Sequence, residues 1–201
     1  IRIRIKNRMK LNGIKNMSGH SHWSKIKHKK TAADERKGQV FSKLAREITV
    51  AAREKGPDPN FNPRLRLVIE RAKSLRLPSE NIERAIKKGA GDSGGEKLEE
   101  VIFEAFGPGS IAIIIEGITD NKNRTLGEIK QTLSQHNAKL VGEGGVRWMF
   151  ERKMNPDLNV LEWVSKQAIE LDEKTKESCE KLFEILDENE AVQEIYSNLK
   201  V

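Results

Sequence analysis

One cysteine stands in 201 residues. Cys179 has no intrachain disulfide partner and cannot build a cysteine-rich zinc site, which suits a reducing, cytoplasmic setting. Aromatic residues are few, at six Phe, three Trp and one Tyr, so no broad stacking platform for single strands stands out. The longest clean apolar run, Ile111 to Ile115, is far too short to cross a bilayer, and no membrane partner is expected. Catalytic arrangements are missing too. Glu116, Asp120 and Glu143 fall near strand ends or in a turn, without the spacing of a general acid and base, and no Ser/His/Asp or Cys/His order emerges. His20, His22 and His28 lack a cysteine or carboxylate companion and stand among lysines that repel a cation. No metal, no cofactor and no enzyme activity are expected.

What the chain has is charge, unevenly placed. Residues 1–89 carry 24 Lys and Arg against 8 Asp and Glu, whereas residues 90–201 carry 13 against 22. The first half is built to attract a polyanion and hold it by counterion release. The acidic half would avoid that polyanion, so it is expected to scaffold, to dock a protein or to keep the chain soluble. The 8 acids of the basic half mostly have a Lys or Arg nearby, a poor basis for a nuclease.

Residues 1–16 are Arg-rich and free of acids, but their Ile/Arg alternation has period 2 and no apolar signal core. They are read as an extension outside the fold, with Met17 as the expected start. Residues 17–92 are read as a basic arm and helical domain. In the arm, Trp23 stands among Lys25, Lys27, His28, Lys29 and Lys30. Thr31 and Asp34 form a capping box for a helix that carries Val40, Phe41, Leu44, Ala45, Ile48, Ala51 and Ala52 on one stripe, with a break conceivable at Gly38. Gly56-Pro57 ends it. Asn62 caps the next helix, with Pro63 at its first position and Leu65, Val68, Ile69, Ala72 and Leu75 inward. A third helix from Pro78-Ser79 buries Ile82, Ala85 and Ile86 and ends at Gly89. AGDSGGE (90–96) is the linker.

From residue 97 the period changes to 2. Residues 93–201 are read as an acidic α+β domain. Strands run Val101–Phe106 and Ile111–Ile118 around a Gly107–Ser110 turn. A helix follows from Thr125 to Asn137, capped by Thr125 and Glu128. A third strand is placed at Val146–Phe150, a helix at 174–187 with Cys179, Leu182, Phe183 and Leu186 inward, and a last strand at Val192–Tyr196. The order implies an antiparallel sheet with helices on one face, a ferredoxin-like layer. Gly142-Glu143-Gly144-Gly145 is read as a tight hairpin rather than a phosphate cradle, and VLEWV (160–164) fits strand or helix.

The nucleic-acid-binding candidates are Trp23, Lys25, Lys27, His28, Lys29, Lys30, Arg36, Lys37, Lys43, Arg46, Arg64, Arg66 and Arg71. The arm is expected to supply most of the affinity. It lacks Arg, Asn and Gln, so contacts are expected to be led by the backbone rather than by bases.

The segments SGHSHWSKIKHKK, KGQVFSKLAREITVAA, GPDPNFNPRLR, NIERAIKKGAG, EAFGPGS, TDNKNRT and GGVRWMF, in this order, closely resemble the YebC/PmpR family. That family includes bacterial proteins labelled DNA-binding transcriptional regulators and a mitochondrial translational activator of cytochrome oxidase. The resemblance implies a helical domain followed by two α+β domains, the last inserted in the second. It implies DNA or ribosomal RNA, and with the latter the ribosome, as partner. The chain departs from the pattern at His22, before Met17, and at the shortened segment 152–172, where the inserted third domain is largely absent.

Overall fold

The computed structural model describes residues 33–91, 97–155 and 160–200, with the backbone alone for residues 33–37. Three helices come first: α1 (Ala33–Lys55), α2 (Pro63–Ser74) and α3 (Ser79–Ala90). The expected stripe of α1 packs on Leu65, Ile69, Ala72, Leu77, Ile82 and Ala85 to make one apolar core. The helix runs unbroken through Gly38. The capping box at Thr31 lies outside the described residues.

Asn62 is the hinge pin of this domain. It is fully buried, and its Oδ1 accepts from Leu65 N at 3.0 Å. Its Nδ2 donates to Ala51 O at 2.7 Å and Gly56 O at 2.9 Å. One side chain thereby caps α2 and ties it to the end of α1.

Two expectations are corrected here. Leu75 is 47% exposed and Leu77 takes its place in the core. After α2 the chain passes through a left-handed residue, Arg76 (φ 62), and Leu77 N donates back to Ala72 O at 2.9 Å. This terminal bond swings the next apolar residue inward. Gly89 does not end α3, which continues to Ala90 with Gly91 as its left-handed cap. Gly89 instead lets α3 touch α1, since a Cβ there would fall 2.4 Å from Thr49 O and 2.7 Å from Ala52 Cβ.

The second unit is built from β1 (Glu99–Phe106), β2 (Ala112–Thr119), α4 (Lys122–Gln135), β3 (Lys139–Val141), β4 (Phe150–Asn155), β5 (Val160–Ser165), α5 (Glu173–Glu188) and β6 (Val192–Ser197). Its antiparallel four-stranded sheet has the order β3-β1-β2-β6. The connection β2-α4-β3 leaves β1 between two strands of like direction, a split β-α-β unit. Both helices pack on one face, against Val101, Phe103, Ala105, Ile113 and Ile115. Period 2 sends Ala112 and Ile114 to the opposite face, where they meet Val146, Phe150 and Tyr196 with Trp163 alongside. Ile111 to Ile115 are all fully buried, as a central strand covered on both faces requires.

Segment 152–172 contributes most of a two-stranded hairpin, β4 with β5, and VLEWV falls in its second strand. The helix expected from Thr125 starts earlier, at Lys122, with Asn121 Oδ1 accepting from Arg124 N at 3.1 Å. Thr125 is buried and its hydroxyl lies 2.8 Å from that of Thr119. The third strand is not Val146–Phe150: Arg147–Met149 is a 3-10 turn and β4 begins at Phe150. A short strand at Lys139–Val141, which the sequence pattern does not announce, pairs with β1 instead.

Candidate nucleic-acid interface

The displaced third strand is explained by Glu104. This β1 residue is 2% exposed. Its carboxylate accepts from Gly144 N, Val146 N and Arg147 N, each at 2.9 Å, and pairs with Arg147 Nη2 at 3.1 Å. Donors that a strand would give to its neighbour are turned onto a side chain. Burial opposes ionisation of Glu104, yet the three N–H groups and the guanidinium hold its pKa below the ordinary value. The glycine-rich turn therefore makes an anion-binding concavity, filled by the protein's own carboxylate.

The same theme governs most of the described basic candidates. Lys43 Nζ donates to Asp187 Oδ1 at 2.6 Å, with the two side chains 14% and 12% exposed. Arg46 bonds Glu190 Oε2 at 2.7 Å and the Glu190 carbonyl as well. Arg64 pairs with Glu54 at 2.7 Å and with Glu100. Burial works against the charge on Arg64, but those two carboxylates raise its pKa above the ordinary value. Arg71 pairs with Glu47. Three of these contacts, Lys43–Asp187, Arg46–Glu190 and Arg64–Glu100, join the basic half to the acidic half. Nearby, half-buried Glu194 on β6 has its pKa pushed up to about 7, by burial first and then by Glu47.

Arg66 differs: it is exposed on α2 and makes no ion pair among the described residues. Arg36 and Lys37 lie early in α1, with side chains beyond what is described. Trp23, Lys25, Lys27, His28, Lys29 and Lys30, and the histidines weighed as metal ligands, lie outside the described residues.

The sequence pattern did not single out other exposed cations. Lys55, Lys73, Arg76, Arg84, Lys87 and Lys88 are exposed and without an ion pair among the described residues. A signal was present, because none of them falls on the apolar stripe of a helix, and Arg76 lies in the turn after α2. A cleft of about 460 Å³ between the two units is lined by Arg46, Lys88 and Arg124 but also by Asp120, Glu128 and Glu190. With both signs in balance it is no anion well. Among the described residues two aromatic side chains stand far out in solvent, Phe61 at 82% and Trp148 at 64%. Trp163 is not among them: its Nε1 donates to Glu116 Oε1 at 2.8 Å, and the Arg152 guanidinium lies 4.6 Å from its ring centre.

Residues 21–92 match the TACO1/YebC protein N-terminal domain, and residues 98–155 match the TACO1/YebC second and third domain. A protein of Persephonella marina called "Probable transcriptional regulatory protein" is 45% identical over 189 residues, spanning 92% of this chain and 76% of that protein. One of the same name from Aquifex aeolicus is 54% identical over 137 residues, 68% of this chain but only 55% of the relative's length. The chain thus spans little more than half of several curated relatives it matches. The crystal structure of a conserved hypothetical protein from Aquifex aeolicus is similar with a TM-score of 0.80 at 35% identity, covering 90% of this chain and 97% of the other. The chain belongs to the TACO1/YebC family.

Proposed function

We propose that this chain is a regulator of gene expression that binds nucleic acid without catalysing a reaction, and that its target is structured RNA of the ribosome. The observation that carries this reading is the set of cations on the helical unit, Lys55, Arg66, Lys73, Arg76 and Lys87, that are exposed without an ion pair among the described residues. Cations left free can exchange counterions for phosphate. A reader of promoter sequence would set Arg, Asn or Gln along one exposed helix stripe. The residues that α2 exposes are Pro63, Arg66, Glu70, Lys73 and Ser74, with no amide and one Arg. Such a face suits recognition by shape and backbone.

The names of the relatives speak of transcriptional regulation, and the other version, a DNA target, would go with that. Competition decides between them. Labelled ribosomal subunits bound by the protein at physiological salt are challenged with ribosomal RNA and with a genomic promoter pool. Displacement by RNA, with DNA competing weakly and without sequence preference, is the expected result. One promoter class competing about 10³-fold better than bulk DNA would establish the DNA reading instead.

A further inference from the structure

The loop between α1 and α2 reads GPDPNFNP (56–63), and at its end a phenylalanine faces water. Phe61 is 82% exposed, though the loop that carries it is not loose. Phe61 N donates to Asp58 O at 3.1 Å and Asn60 N to Asp58 Oδ1 at 2.8 Å. The next residue, Asn62, is fully buried and bonded to Ala51, Gly56 and Leu65. Three prolines, Pro57, Pro59 and Pro63, fix further backbone angles. The ring is therefore presented from a preorganised support, and little ordering entropy remains to be lost on binding.

Cations outnumber acids around the ring. Of the acids at this end of the helix pair, Glu54 is taken by Arg64, while Asp58 accepts from the turn amide and keeps its negative charge. Lys55 at the end of α1, Arg53 in the same last turn and Arg66 in the first turns of α2 make no ion pair among the described residues. An aromatic face with uncommitted cations on both flanking helices matches what an unpaired nucleotide offers, a π-face beside a phosphate. Duplex RNA hides its base faces in the stack and offers no such partner. Trp148, the other exposed aromatic among the described residues, stands in the acidic unit, with its ring N–H donating to Gly145 O at 3.2 Å.

The geometry points to Phe61 as a stacking contact for an unpaired RNA base, with Arg53, Lys55 and Arg66 receiving the adjoining phosphates. This rests on the nucleic-acid reading above and names the part of the RNA that the helical unit takes.

The test uses the full chain and two probes, an adenosine-rich single strand of about 12 nucleotides carrying one 2-aminopurine, within the usual site sizes, and a blunt RNA duplex of the same length. Phe61→Ala is expected to weaken single-strand binding by about 5- to 150-fold, corresponding to roughly 1–3 kcal/mol for one stacked base. It should leave duplex binding and the melting temperature as in the wild type, and abolish the 2-aminopurine fluorescence change. Phe61→Tyr should keep both affinity and fluorescence change. Unchanged single-strand affinity in Phe61→Ala, or an equal loss on both probes, overturns the stacking role. Wild-type protein that binds neither probe overturns the nucleic-acid reading itself, a separate result from failure of Phe61 alone.

Discussion

The helical unit has two basic surfaces, and they put the same residue types to different use. On the inner side, Lys43, Arg46 and Arg64 reach acids of the second unit, and Arg71 is held by Glu47. On the outer side, Lys55, Arg66, Lys73 and Arg76 face water without such partners among the described residues. A cation already matched to a carboxylate has little attraction left for a phosphate, whereas a free one retains all of it. The difference teaches that a basic segment counts toward binding only by the charge the fold does not consume. The described charges also form a graded series, from Glu104, sealed in a backbone cradle, through the Lys43–Asp187 pair, to Arg66. Along that series removal should cost less and less stability and more and more affinity for nucleic acid.

The strongest break lies at Glu104. Glu104→Ala strands three inward-facing N–H groups and the Arg147 guanidinium. Unmet buried donors and a severed buried pair together cost about 3 kcal/mol. Urea unfolding of the full chain should show that loss. The pKa of Glu104 is held down in the fold, so its contribution is present above the ordinary glutamate pKa and fades as pH falls through the folded value. Stability of the variant should accordingly fall less steeply in acid. An RNA affinity that dropped with it under folded conditions would break the series.

Glu194 comes next, with the opposite pH sign. Its folded pKa of about 7 stands above the unfolded value near 4.5, so the folded state binds the extra proton between those two values. Stability then declines as pH rises from about 4.5 to about 7 and stays lower above it. Glu194→Gln mimics the protonated form. At about pH 8, above both pKa values, it should stabilise the protein by on the order of 2 kcal/mol, allowing for the partial solvent access of a half-buried side chain. The gain should vanish below about pH 4.5, where the wild-type carboxyl is protonated in both states. A gain that persists in that acid range would assign the effect to packing rather than to the carboxylate charge.

Helices and the central hairpin were legible because each signal was local. Asn62-Pro63 announces the cap of α2, and Ile111–Ile115 announces a strand covered on both faces. Leu182, Phe183 and Leu186 give the buried side of α5 directly. What escaped was set by partners distant in sequence. Val146 to Phe150 alternates like a strand, but Glu104, some forty residues earlier, captures its N–H groups. Thr125 reads as a cap until Thr119 draws its hydroxyl inward. The same holds for the candidate interface. Nothing local distinguishes Arg64 from Arg66, two residues apart on one helix. Glu54 on α1 and Glu100 from the second unit together commit the first and leave the second free.

The smallest expected effect tests the comparison most directly, by exchanging one residue from each surface. Lys43 and Asp187 are mostly buried yet join across the two units, so their pair has more worth than an exposed one. Lys43→Ala should cost about 1 kcal/mol. In a double-mutant cycle with Asp187→Ala, most of that should appear as coupling between the two. Its binding to RNA should keep the wild-type dependence on salt, because this cation releases no counterion when phosphate arrives. Arg66→Ala should do the reverse. Stability should change by less than about 0.5 kcal/mol, as for most exposed positions. The plot of log affinity against log salt should flatten by about 0.7 for a single strand, the share of one phosphate. If Lys43→Ala flattens that slope while Arg66→Ala leaves it alone, the inner surface is the one that opens onto nucleic acid. The ion pairs between the halves would then be bonds that RNA displaces.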